Sequence, residues 1–93
     1  MIDSFLNLIS EYEAQIDLYK SLVPSEDHDN EFANSTFLPI YDRLVKDPPL
    51  PTTPAGVIRG LECAHRELVM GLDNELAISV VGVCIAYLKR HFG

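Results

Sequence analysis

Tryptophan is absent from this sequence, cysteine occurs only twice, and positive charge is scarce. Each shortage closes off a class of function. Cys63 and Cys84 are too few for a disulfide framework and form no paired CxxC motif. The expected compartment is therefore the cytosol, with both thiols reduced. Seven Lys and Arg against fourteen Asp and Glu leave a formal net charge of −7 at pH 7. Phosphate backbones are held by fields of Lys and Arg, so no nucleic-acid partner is expected. Only Lys89 and Arg90 adjoin, at the end of an expected helix where cations oppose the dipole. Long apolar runs are missing too. The uncharged stretch 76–88 is 13 residues, short of the roughly 20 that cross a bilayer. "MIDSFLNLIS" at the start has no basic region, so neither a secretory signal nor a membrane partner is expected. A Gly-rich phosphate loop and a Ser-His-Asp arrangement are also lacking, which makes an enzyme the less favoured reading.

What remains is the composition of a folded domain. Apolar residues make up 47% of the chain and charged ones 23%, enough apolar surface to bury a core. Ninety-three residues make one domain, spanning 1–93. At that size the core is thin, and association with a second copy would thicken it.

The apolar spacing is helical throughout. Ile2, Phe5, Ile9, Tyr12, Ile16, Tyr19 and Val23 alternate steps of three and four, widened by Leu6 and Leu22, which predicts one helix with a heptad seam. Asp3 or Ser4 can cap its start, and Pro24 ends it. "PSEDHDNE", residues 24–31, follows as an acidic loop that favours protonated His28. It lacks the spacing and central glycine of a calcium loop. Phe32, Phe37, Tyr41, Leu44 and Val45 predict a second helix from about residue 30 to 46, kinked near Pro39. Asp47, placed before a proline, leaves helical geometry there.

Residues 47–57, "DPPLPTTPAGV", hold four of the six prolines and one of the five glycines. A free hinge would be built from Gly and Ser, whereas Pro48, Pro49 and Pro51 stiffen the chain. Thr53 before Pro54 is a helix start, with a hydroxyl for the orphan amide and a proline preset for the first helical position. The third helix then runs from Pro54 to about Met70. Its expected core stripe is Val57, Leu61, Ala64 and Leu68, with Ile58, His65 and Val69 beside it. Gly56 and Gly60 lie one turn apart and admit a close neighbour, and Gly71 terminates the helix in left-handed geometry. Asp73 or Asn74 caps a fourth helix, about 74–91, apolar on nearly every side and so expected to be the most buried or to meet a second copy.

"LPTTPAGVIRGL" followed by "DNELAISVV" resembles a loose set of small bacterial all-helical proteins without assigned activity. In these a Thr-x-Ala-Gly-like segment opens one helix and an Asp-Glu-Leu-Ala-like segment opens the next. The matching residues are Thr53, Ala55 and Gly56, then Asp73, Glu75, Leu76 and Ala77. The likeness spans most of the chain and departs in the apolar 80–88 region. It implies an all-helical fold and brings no activity, cofactor or partner.

Glu62-Cys63-Ala64-His65 is the sharpest candidate for chemistry. A Glu-x-x-His spacing sets a carboxylate and an imidazole on one helix face, as in di-iron carboxylate bundles. Such a site needs a second copy of the motif, so iron would require a dimer, with Glu11, Glu13 or Glu31 bridging. Glu62, Arg66 and Glu67 otherwise read as a solvated face. The thiols read as small buried apolar groups. His65 stands two residues from Cys63, and side chains so spaced on a helix do not face each other.

The expectation is thus an all-α four-helix bundle of short antiparallel helices, dimeric through Ile9, Tyr12, Ile16, Tyr19, Val80, Cys84 and Tyr87. Its expected role is a non-enzymatic interaction or regulatory module without a cofactor. One alternative is an iron-binding bundle centred on Glu62 and His65. The other is an acidic decoy, or antitoxin-like inhibitor, of a basic partner.

Overall fold

Asp3 opens the first helix. Its backbone oxygen accepts from the Asn7 amide and its Oδ1 from the Leu6 amide, each at 3.0 Å, the geometry of an N-cap. In the computed structural model, which describes residues 2–21, 34–71 and 74–93, α1 then runs Ser4–Ser21. Helix α2 is Leu38–Lys46, α3 is Pro54–Val69 and α4 is Asn74–Phe92. Among the described residues there is no strand. No helix among them is long and apolar enough to cross a membrane. The acidic loop at 24–31, with His28, lies outside the described residues.

Local chemistry sets most of the boundaries. Pro39 stands in the first turn of α2, where the amide it lacks has no helical partner to lose. The expected helix is met as Leu38–Lys46, preceded by helical residues 34–35 and a turn at 36–37, while residues 30–33 lie outside the described residues. Asp47 leaves helical geometry before Pro48, as the sequence requires. Thr53 is extended and its side chain accepts from the Gly56 amide, with Pro54 next. Gly71 takes φ +72°, the left-handed turn that ends α3 at low steric cost.

Contacts fix the directions. Tyr12 meets Tyr41 and Tyr19 meets Phe37, so α1 and α2 run antiparallel. Asp3 meets Thr53, the Phe5 ring lies on Gly60, and Tyr12 meets Glu67, so α1 and α3 run parallel. The Cys84 thiol donates to the Val57 carbonyl at 3.7 Å, and with the turn at Gly71 this makes α3 and α4 an antiparallel hairpin. Ser79 on α4 donates to the Leu44 carbonyl at 2.7 Å, which joins α2 to α4. The extensive contacts are α3 with α4, α1 with α3, α2 with α4 and α1 with α2. Consecutive helices alternate in direction, as expected. Two of the four neighbouring pairs, α1 with α3 and α2 with α4, are nevertheless parallel, because the helix-free residues 48–52 carry the chain from α2 to α3.

Phe5, Ile9, Leu44, Leu76, Val80, Cys63 and Cys84 are the fully buried centre. The buried face of α3 differs from the expected stripe. It consists of Gly56, Val57, Gly60, Cys63, Ala64 and Glu67, while Leu61 and Leu68 remain 39% and 52% exposed. Closeness decided this. A Cβ on Gly60 would lie 2.6 Å from the Phe5 ring and 3.1 Å from the Cys84 sulfur, so α1 and α4 reach the backbone of α3 along its small-residue side. Helix α4 is also not covered all round. Leu76, Ala77, Val80, Cys84 and Tyr87 face the core, whereas Ile78, Ile85, Leu88 and Phe92 are exposed.

Candidate functional site

The seven residues expected to form an interface lie mostly inside one chain. Ile9, Tyr12, Val80, Cys84 and Tyr87 are buried, and Ile16 and Tyr19 are half-buried. Their own chain's core takes up the buried five. Glu62 and His65 are both exposed on α3. Glu11 is exposed on α1, Glu13 is held by arginines, and Glu31 lies outside the described residues. No group of three His, Cys, Asp or Glu is placed to hold a metal among the described residues.

Two other features emerge from the packing. The first is a cleft of about 390 Å³ between α1, the start of α2 and the end of α3. Tyr12, Ile16, Tyr19, Phe37, Tyr41 and Met70 give it a largely apolar, aromatic lining. The Phe37 ring stands edge-on to Tyr12 and Tyr19, at centroid distances of 6.4 and 5.0 Å, a favoured aromatic arrangement.

One wall of this cleft is polar. The buried Tyr12 hydroxyl donates to Glu67 Oε1 at 2.9 Å. Beside them Glu13 pairs through Oε1 with Arg59 and through Oε2 with Arg66, the latter at 2.6 Å. Burial and the neighbouring Glu67 carboxylate push the Tyr12 hydroxyl far above its ordinary range, so it keeps the proton that it donates to Glu67. Burial, followed by Glu67, pushes the Cys63 thiol up to about 11. Burial alone does the same for Cys84, also to about 11. Nucleophilic cysteines need the opposite displacement, so these thiols are packing groups. Burial pulls Arg66 down, but Glu13 outweighs it and holds the guanidinium above its ordinary value.

Glu67 is the residue that sequence reasoning misplaced. It belongs to the buried face rather than the solvated one. A signal was present: residues 56, 60, 63 and 67 follow one helical stripe, so the glycine side passes through Glu67.

The second feature is the outward face of the α3–α4 hairpin. Leu61 and Leu68 on α3 and Ile78 and Ile85 on α4 are all exposed. A shallow groove between Leu68, Ile78, Val81, Gly82 and Ile85 runs along it. His65 shares the spacing of Leu61 and Leu68 and borders this face.

No family model matches the chain, and no match was found among curated proteins or solved structures.

Proposed function

We propose that the chain is a protein-interaction module that pairs with a second copy of itself through the outward face of the α3–α4 hairpin. The observation that supports this is the exposure of Ile58, Leu61, Leu68, Ile78, Ile85 and Leu88, each 39–70% accessible. Together they present on the order of 600 Å² of apolar surface, at the top of the range for the largest patch on a monomer and close to the ~800 Å² each partner contributes to a standard interface. No charged residue falls between Leu76 and Leu88, so the α4 part of the face buries no ion. An α-helical hairpin docking on its twin also completes what a short chain builds poorly alone, a core covered on both sides.

Electrostatics oppose the pairing. A formal charge of −7 on each copy repels the other until salt screens it. The dimer therefore strengthens as ionic strength rises, the reverse of an association held by ion pairs.

Sedimentation from low to hundreds of micromolar chain tests the proposal. The wild type is expected to pass from monomer to dimer, at lower concentration in high salt. Ile85→Glu sets a carboxylate in the middle of the face and is expected to stay monomeric with unchanged helical circular dichroism. A wild type that is monomeric throughout refutes the pairing, as does an Ile85→Glu variant that associates like the wild type.

A further inference from the structure

The aromatic cleft carries chemistry that pairing through α3 and α4 leaves unused. Its polar wall contains Glu67, only 6% exposed, whose Oε1 accepts from Tyr12. Oε2 has no hydrogen-bond partner among the described residues. Yet no buried side-chain nitrogen or oxygen among them lacks a partner, so Oε2 is not sealed in. Glu67 lines the cleft, and Oε2 is the acceptor that Tyr12 leaves unused.

We propose that this cleft binds a small aromatic molecule bearing one N–H or O–H donor, which bonds Glu67 Oε2 while its ring lies among Tyr12, Phe37 and Tyr41. A carboxylate only accepts hydrogen bonds, so the ligand must bring the donor, and ligand carboxylates are disfavoured. The aromatic lining selects a ring through edge and face contacts. Charge selects against an anionic ligand: Arg66 neutralises Glu13, Asp17 and Lys20 at the rim carry opposite signs, and the Glu67 carboxylate is left over. The volume, about 390 Å³, lies within the range of small-molecule sites and has room for one or two rings.

Indole and N-methylindole are the probes, read by ligand-observed NMR and calorimetry. They share shape and aromatic character, and only indole can donate. Indole is expected to bind about tenfold tighter, the loss from leaving a desolvated acceptor unpaired. Glu67→Gln keeps an oxygen for Tyr12 and turns an amide donor toward the cleft, so the preference for indole should vanish. Ile16→Trp fills the cleft and should abolish binding of both. Equal affinity of the two probes for the wild type overturns the proposal, as does absence of indole binding up to its solubility. Either result stands without the variants. An unchanged preference in folded Glu67→Gln, or undiminished indole binding in folded Ile16→Trp, overturns it as well.

Discussion

Asp3 shows how much one side chain can organise. Its Oδ1 caps α1, and its Oδ2 accepts from the Thr53 hydroxyl at 2.6 Å and the Thr53 amide at 3.2 Å. Thr53 in turn caps α3 through the Gly56 amide at 3.1 Å. One carboxylate thereby ties together the starts of two helices fifty residues apart in sequence. Burial pushes the Asp3 carboxyl up, but the hydrogen bonds from Thr53, Leu6 and Thr52 outweigh it and hold it below its ordinary 3.8. A carboxylate depressed in the folded state adds stability above its unfolded pKa, and that stability is lost as pH falls through the folded value. Asp3→Asn is accordingly expected to cost about 1–2 kcal/mol at neutral pH, as losses of a cap and of charge-assisted hydrogen bonds do. The gap between variant and wild type should narrow below the ordinary carboxylate range. Urea unfolding of both proteins at neutral pH and near pH 3 checks it, and a constant gap would contradict the role given to Asp3. Both caps were legible in the sequence as separate helix starts. Their meeting was not, because nothing local to either residue announces the other.

At the scale of the helix, α3 depends on what its glycines omit. A Cβ at Gly60 would enter the space of the Phe5 ring and approach Cys84. Gly60→Ala should therefore destabilise the fold by about 1–3 kcal/mol despite its better helix propensity, the usual cost of overpacking. Gly82 on α4 is the contrast, since a Cβ there meets nothing within 4 Å. Gly82→Ala should stabilise the monomer by up to about 1 kcal/mol, measured by thermal melts at low chain concentration. If the two substitutions shift stability equally, α1 and α4 do not press on α3 as described. The element ends were readable because short-range chemistry decides them: Thr53 and Pro54 start α3, Gly71 stops it, and Pro48 closes α2. The buried face of α3 was not. Counting apolar side chains favours Leu61 and Leu68, whereas the packing is set by how near a neighbouring helix can come, and Gly, Ala and Cys win that contest. The same reversal hid Glu67, whose partner Tyr12 stands 55 residues away. It also turned long aliphatic side chains outward, onto the face proposed to pair with a second copy.

At the scale of the whole molecule, the two thiols lie at the junctions of the packing. Cys84 sits beneath Val57 and Gly60, where α1, α3 and α4 converge, and Cys63 is on the buried face of α3. Both are free, almost fully enclosed and held protonated at neutral pH. An alkylating reagent can reach them only when the helices part, and it then reacts with an ordinary thiol. Iodoacetamide should label Cys63 and Cys84 together, at a rate that follows global stability, and mass spectrometry should show chains carrying two adducts or none. A single rapid adduct on a fully helical protein would contradict this enclosure. Nature has thus left the chain with a built-in stopwatch: without any added dye, the pace of its own sulfur chemistry reports how often the structure comes apart.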